Sequence, residues 1–207
     1  MHMRPCPSLY QLKPKFQNTL RPLVNYLAGK GITANWITVS AFILSLLAGL
    51  LIYFFAGRNV LIYLILPVFL FIRMALNAID GMLAREHNQQ TRLGAILNEA
   101  GDILSDLVLY IPFLYVRAVD FWPVLLFSVL VIFTETAGIM GVQIKASRRY
   151  DGPMGKSDRA FWLGFLALLS AFNLPNVNIL NAAVIIISIL MALTVFNRLK
   201  NALKETI

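Results

Sequence analysis

The sequence predicts an all-α membrane protein with six transmembrane helices, preceded by an amphipathic helix at the membrane interface. Of its 207 residues, 58% are apolar and only 14% are charged, and the mean hydropathy is +0.71. A soluble domain carries roughly 25% charged residues, so lipid is the expected solvent for most of the chain. A helix needs about 20 apolar residues to cross a bilayer, which leaves room for six spans in one domain, 1–207.

The interfacial helix is predicted within the cytosolic segment 1–30, ahead of a six-helix bundle over 31–207. Apolar residues recur near helical spacing in 10–30, with basic residues between them, as is typical of a helix lying on a bilayer. Pro14 and Pro22 predict that this helix starts or breaks near them. The six apolar segments that follow are 35–56, 60–84, 93–116, 121–144, 159–175 and 178–198.

The distribution of basic residues predicts the topology. Of the 18 Lys and Arg residues, only Arg58 and Arg117 fall in the loops of one side, and Arg73 falls inside a span. Cytoplasmic loops carry the excess of Lys and Arg, so both termini are predicted to be cytoplasmic. The basic residues of the cytoplasmic loops account for the net charge of +8, so no nucleic-acid partner is expected. A bacterial inner membrane is the expected location.

Polar and small residues concentrate where spans 2 and 3 meet on the cytosolic side. Residues three or four apart share one face of a helix. On span 2 such a face carries Asn77, Asp80, Gly81 and Ala84, and on span 3 it carries Gly94, Asn98, Glu99, Asp102 and Asp106. Carboxylates inside a membrane are costly unless they are paired or bind a cation. Oxygen ligands suit Mg²⁺ or Mn²⁺, and Arg85 and Arg92 at the mouth can hold phosphate oxygens. The alternative is polar packing between helices.

This pattern resembles the signature of the CDP-alcohol phosphatidyltransferase family, D-x2-D-G-x2-A-R-x8-G-x3-D-x3-D. Every spacing matches from Asn77 to Asp102. Upstream, GITANWIT, with Thr33, Asn35 and Thr38, resembles the family's T-P-N-x-x-T segment, with Ala34 in place of Pro. Downstream, GKSDRA over 155–160 resembles the Gly-Lys segment before the fifth span.

The resemblance implies a membrane enzyme, usually a homodimer, that uses divalent metal ions. It would move a phosphatidyl or phospho-alcohol group from a CDP-linked donor, most simply CDP-diacylglycerol, to an alcohol and release CMP. Whether the lipid is donor or acceptor is left open. The implied metal positions are Asn77, Asp80, Asn98 and Asp102, with Asp102 also the general base. The implied substrate-binding residues are Gly81, Ala84, Arg85, Gly94, Lys156 and Arg159.

Two signature aspartates are asparagines in this chain, Asn77 and Asn98. An amide oxygen can ligate a metal but carries no charge, so metal binding should weaken. The site could hold either one or two ions. Glu99 or Asp106 are the candidates to supply the missing charge. Alternatively, the site binds its ligand differently, the chain is an impaired member that binds lipid or nucleotide beside a partner, or the replacements are deliberate.

Two intramembrane charges lie outside the motif, Arg73 in span 2 and Glu135 in span 4. A charge within a span needs a counter-charge. We therefore expect Arg73 to pair with Asp106, Glu99 or Glu135, with a contact to a substrate phosphate as the alternative. An ion-coupled transporter is a third function class, and the lack of Gly- or Pro-broken spans in matching halves disfavours it.

Overall fold

The computed structural model describes residues 12–206, with side chains from Lys15 onward. The described part of the chain is helical and contains no strand. A short 3-10 helix, Val60–Leu64, leads into α3. The α-helices are α1 (Leu12–Gly29), α2 (Ala34–Phe55), α3 (Ile65–Glu86), α4 (Arg92–Val116), α5 (Phe121–Gln143), α6 (Lys156–Ser170) and α7 (Val177–Glu205).

The interfacial helix forms as α1, although the part of the predicted segment before residue 12 lies outside the described residues. A break at Pro22 was the wrong expectation, because Pro22 lies inside the helix. Proline removes one backbone donor and normally breaks or kinks a helix. Here tertiary contacts hold α1 on either side of it. Arg21 pairs with Glu86 at 3.0 Å, and Val24 is completely buried.

Four helical segments are long and apolar enough to cross a membrane: Ala34–Phe55, Val60–Glu86, Phe121–Gln143 and Val177–Glu205. The other two predicted spans form helices of a different character. In α4 the acidic residues Glu99, Asp102 and Asp106 interrupt the apolar sequence. The α6 helix has only 15 residues, which correspond to about 22 Å at 1.5 Å per residue.

The chain divides into two compact units. Unit 1 contains the described residues up to Phe42 together with Phe71–Gly101. Unit 2 contains Ile43–Leu70 together with the described residues from Asp102 onward. The helices α2, α3 and α4 contribute residues to both.

Each unit has its own apolar core. In unit 1, Val24 of α1 packs with Ala34 and with Ile79, Met82 and Leu83 of α3. The larger core of unit 2 is built around aromatic pairs with edge-to-face geometry, Tyr63 with Phe113 and Tyr110 with Phe127. Such pairs contribute beyond the area that they bury. Also in unit 2, α5 and α7 pack along each other.

The outward faces of the helices are apolar. On α2, Leu47, Leu51 and Phe54 are between 45% and 62% exposed, and exposed large apolar residues occur on the other helices as well. A soluble monomer rarely exposes contiguous apolar surface on this scale. These faces therefore fit a hydrocarbon environment, where the polar residues turn inward.

Candidate active site

In unit 1, the polar face predicted for span 2 forms on α3. Asn77, Asp80, Gly81, Ala84 and Arg85 all lie within this helix, so the i, i+3, i+4, i+7 spacing places the first four on one side. Asp80 is only 6% exposed. A buried carboxylate requires hydrogen-bonding partners, because removing it from water is costly.

Thr38 of α2 is one partner of Asp80. Its hydroxyl donates to Oδ2 of Asp80 at 2.9 Å and lies 3.1 Å from the carbonyl oxygen of Ala34 one turn earlier. The bond therefore holds one carboxylate oxygen in a set direction. It also joins two motif segments that are 42 residues apart in the chain.

Gly81 makes room for Arg85. A methyl group added at Gly81 would lie 3.0 Å from Nη2 and 3.2 Å from Nη1 of Arg85, so the guanidinium lies against the backbone of the preceding turn. Arg85 itself is exposed in the last turn of α3. The arrangement places a positive charge beside the polar face of α3, where an anionic ligand would be attracted.

The start of α4 packs tightly against the start of α2. The Thr91 hydroxyl accepts a hydrogen bond from the backbone N–H of Gly94 at 2.8 Å, which caps the helix. A methyl group at Gly94 would lie 2.5 Å from Oδ1 of Asn35. A side chain at this position would therefore displace the end of the Asn35 side chain. Lining of a ligand pocket by Gly94 stays a prediction.

The polar face predicted for span 3 lies on one uninterrupted helix, α4, which carries Gly94, Asn98, Asp102 and Asp106 at intervals of four residues. Asn98 and Glu99 are half-buried and belong to unit 1. Asp102 and Asp106 belong to unit 2.

In unit 2, Asp102 forms an ion pair with Lys156. Nζ of Lys156, the first residue of α6, contacts Oδ1 of Asp102, and the side chains are 27% and 16% exposed respectively. The family resemblance implies that Asp102 binds a metal and accepts a proton, and that Lys156 binds substrate. The structure brings these two residues together.

One turn further along both helices, Arg159 pairs with Asp106. Nη2 of Arg159 lies 2.8 Å from Oδ2 of Asp106 and 2.9 Å from Oε1 of Glu135, and Nη1 donates to the Thr134 hydroxyl at 2.9 Å. Arg159 is completely buried. Because all of these contacts are internal, they assign Arg159 a structural role. Its predicted contact with substrate stays a prediction.

Arg198 of α7 completes this buried cluster. It donates through Nη1 to the backbone oxygen of Thr134 and through Nε to that of Asp151 at 3.2 Å, and Nη1 lies 3.8 Å from Oε2 of Glu135. Two arginines thus face two carboxylates. Arg159 and Arg198 are partners of Glu135 that the sequence analysis did not identify. Arg73 is buried at 3% exposure, and its predicted pairing stays a prediction.

The loop between α5 and α6 is anchored to α7. Glu205 accepts hydrogen bonds from Ser147, through its backbone N–H and its hydroxyl, and from Arg149. Nε of Arg149 lies 2.7 Å from Oδ2 of Asp151, and this bond holds the pKa of the Asp151 carboxyl below its usual value. The loop that leads to Lys156 therefore has a defined path.

The family model for CDP-alcohol phosphatidyltransferases matches residues 31–202. The chain belongs to this family. Its enzymes transfer phosphatidyl groups, so the chain has the fold and the motif of an enzyme.

The similar proteins include two curated relatives that are described as follows. The inner membrane protein YnbA of Escherichia coli is 48% identical over 196 residues, covering 95% of this chain and 96% of that protein. An archaetidylinositol phosphate synthase of Pyrococcus horikoshii is 35% identical over 98 residues, covering 47% of this chain and 49% of that protein. The apolar helices and the relation to YnbA make the chain an integral membrane protein.

The structural similarity concerns phosphatidylinositol phosphate synthase (PgsA1) of Mycobacterium tuberculosis. One structure, in complex with manganese and citrate, has a TM-score of 0.72 at 20% identity and covers 88% of each chain. A second, with CDP-DAG bound, has the same TM-score and identity and covers 87% of this chain and 92% of that one. At this identity the likeness establishes the fold.

The donor chemistry of this family member fits a hard divalent cation. Asn77, Asp80, Asn98 and Asp102 all offer oxygen, the ligand that Mg²⁺ and Mn²⁺ prefer. Among residues 12–206, no group of three or more His, Cys, Asp or Glu side chains converges as a metal site. Mg²⁺ usually keeps several water ligands and also takes amide and phosphate oxygens.

Proposed function

We propose that this chain transfers a phosphatidyl group from CDP-diacylglycerol to an alcohol and releases CMP. The support is membership of the family together with the motif spacing of α3 and α4. The observation that carries the proposal is that each of the two remaining signature carboxylates has a defined partner on another helix. Thr38 holds Asp80, and Lys156 holds Asp102. The PgsA1 structure with CDP-DAG bound supports the choice of donor.

In the proposed reaction Asp102 is the general base. Its carboxylate accepts the proton of the acceptor hydroxyl, and the hydroxyl oxygen forms a bond to the phosphorus that bears the diacylglycerol. The bond from this phosphorus to the oxygen bridging to CMP breaks, and that oxygen leaves with its electron pair. Proton transfer to a positioned base contributes typically 10²–10⁴-fold.

The four motif positions Asn77, Asp80, Asn98 and Asp102 are the proposed ligands for one or two divalent ions, Mg²⁺ or Mn²⁺. When bound, such an ion neutralises charge that develops on the diphosphate. The hydrogen bond from the Thr38 hydroxyl fixes the direction of the Asp80 carboxylate, and a ligand held in this way binds a metal more tightly. Glu99 and Asp106 are the proposed compensating carboxylates, and Asp106 also pairs with Arg159.

Substrate phosphates are proposed to lie against Arg85 and Lys156, beside the small residues Gly81, Ala84 and Gly94. Phosphoryl transfer depends mainly on such positioning and charge stabilisation. Arg159 contributes through the helix α6 that carries Lys156.

The finer topology is part of the same proposal. The helices α4 and α6 are the third and fifth spans along the chain. Together with the four long apolar segments they complete a six-helix bundle in the bacterial inner membrane. Both termini and the site face the cytosol, in accordance with the positive-inside rule. The protein is proposed to be a homodimer.

The test is release of CMP by purified protein. The full chain in lipid nanodiscs is incubated with CDP-diacylglycerol, Mn²⁺ or Mg²⁺, and a panel of alcohols. CMP release that requires an alcohol and is lost by about 10²-fold or more in Asp102→Asn would support the proposal. Lys200→Met, an exposed change on α7, controls for the general effect of a charge change.

A second function, a binder of lipid or nucleotide without turnover, is favoured by Asn77 and Asn98, which halve the charge of the motif. It predicts that CDP-diacylglycerol raises the unfolding temperature while no alcohol gives CMP. The double variant Asn77→Asp, Asn98→Asp separates the two functions. Turnover in this variant alone would mean that the natural site is impaired, whereas turnover in both proteins would exclude the binder.

A further inference from the structure

Two ion pairs connect α4 and α6, and they differ in exposure. Asp106 and Arg159 form the inner pair, with side chains 1% and 0% exposed. Asp102 and Lys156 form the outer pair, at 16% and 27%. The two acidic residues are four positions apart on α4, and the two basic residues are three apart on α6. One pair is therefore sealed, and the other reaches solvent.

The inner pair and the start of α6 fix where Lys156 emerges. Arg159 is bound to Thr134 and Glu135 as well as to Asp106, and a buried arginine with this many partners has little freedom. The Asp158 carboxylate accepts a hydrogen bond from the backbone N–H of Gly155 at 2.9 Å. The backbone of Lys156 is thus anchored on both sides, while its ammonium lies at the end of a flexible four-carbon chain.

From this geometry we propose that Lys156 is an exchangeable counter-cation of Asp102. In the protein without substrate, its ammonium neutralises Asp102 and competes with a divalent cation for that carboxylate. When a CDP-linked lipid binds, the ammonium moves to a phosphate oxygen and leaves Asp102 available to the cation and to the acceptor proton. This inference rests on the proposed function, because it assumes that Asp102 serves a metal and a base.

The charges of the motif favour such an exchange. The signature positions retain two carboxylates, and Lys156 offsets one of them in the protein without ligand. A second positive charge is then unfavourable until the diphosphate adds negative charge to the site. Metal and donor lipid should consequently bind with positive coupling, and such coupling is reciprocal between the two ligands.

The experiment measures Mn²⁺ affinity, not turnover. Free Mn²⁺ is quantified by its electron paramagnetic resonance signal during titration of the full chain in nanodiscs, with and without CDP-diacylglycerol. In the natural protein we expect the donor lipid to tighten Mn²⁺ binding by roughly tenfold, within the usual range of coupling. In Lys156→Met we expect Mn²⁺ binding without the lipid to be roughly tenfold tighter, and the effect of the lipid to fall toward one-fold.

Two variants serve as matched controls. Lys156→Arg keeps the positive charge and should show a larger effect of the lipid on Mn²⁺ binding than the neutral variants do. Lys200→Met removes a lysine from the exposed face of α7 and should leave the coupling intact. Lys156→Gln is measured beside Lys156→Met so that one badly folded variant does not decide the result.

Equal Mn²⁺ affinity and equal coupling in the natural protein and in both neutral variants would overturn the exchange, whereas CMP release by the natural protein would still support the proposed function. Absence of Mn²⁺ binding in every form, together with absence of CMP release, would overturn the proposed function as well. The two failures are therefore distinguishable.

Discussion

Thr38 and Asp80 are joined by a hydrogen bond of 2.9 Å between the hydroxyl of one and Oδ2 of the other. This bond links the TANWIT segment at the start of α2 to the signature aspartate on α3. Both segments carry family resemblance, and the bond gives a physical reason for their occurrence together: one supplies a carboxylate, and the other orients it.

Thr38→Val should weaken metal binding and CMP release by about 10–100-fold, the usual effect of losing a partner of a metal ligand. Valine keeps the shape of threonine but cannot donate a hydrogen bond to Asp80. The measurement is Mn²⁺ affinity together with the rate of CMP release. Thr38→Ser keeps the hydroxyl and should retain most of both, and a Val variant with unchanged affinity would show that the bond does not orient a ligand.

Arg159→Met should destabilise the protein by about 3–5 kcal/mol, because it leaves Asp106 and Glu135 buried beside one arginine fewer. Thermal unfolding in a fixed detergent measures the effect. The double variant Arg159→Met, Asp106→Asn removes one charge of each sign and should recover part of the loss. If the single and double variants unfolded at the same temperature, the buried pair would not be the cause.

The loop between α5 and α6 should loosen in acid. Because Arg149 lowers the pKa of Asp151 in the folded protein, the stabilisation is present above the unfolded pKa, near 3.9, and is lost as the pH falls through the lower folded value. Hydrogen exchange of 144–155 should therefore accelerate below about pH 4. Asp151→Asn should exchange faster already at neutral pH and lose part of the acid response; an identical profile would contradict this origin.

Gly152 should tolerate no side chain. Its φ is +116°, and a methyl group there would lie 2.6–2.7 Å from atoms of Thr194, including its Cα. We expect Gly152→Ala to cost about 2–5 kcal/mol, from backbone strain and overpacking. Gly31, with φ +74° and open space around it, is the matched control, and Gly31→Ala should cost about 1 kcal/mol. Equal losses of unfolding temperature would contradict the clash.

Hydropathy predicted where the long helices lie, because lipid-facing residues make apolar stretches that need no partner to be recognised. The start of α6 was harder to place. It begins at Lys156 rather than 159, because its first turn is polar and adds nothing to the apolar segment. It ends at Ser170 rather than 175, because the next turn has the i→i+3 hydrogen bonds of a 3-10 turn. Likewise α7 continues to Glu205, past the apolar segment.

The sequence did not predict which side chains form ion pairs between helices. The motif identified Asp80, Asp102, Lys156 and Arg159 as functional candidates, but spacing within one helix says nothing of which distant helix supplies a partner. Arg159 and Asp106 are 53 residues apart, and several basic residues had the right charge for Asp106. Only packing selects Arg159 for the core and Lys156 for the solvent-accessible position.

Hydrogen bonds to α2 fix the length of the loop between α3 and α4. Gln89 accepts a hydrogen bond from the backbone N–H of Ala34 at 2.8 Å, and two residues later Thr91 bonds both Asn35 and Gly94. An insertion or deletion between Gln89 and Thr91 would break at least one of these hydrogen bonds. The length of eight residues between Arg85 and Gly94 is thus constrained by contacts with α2, and we expect relatives to vary in length in other loops.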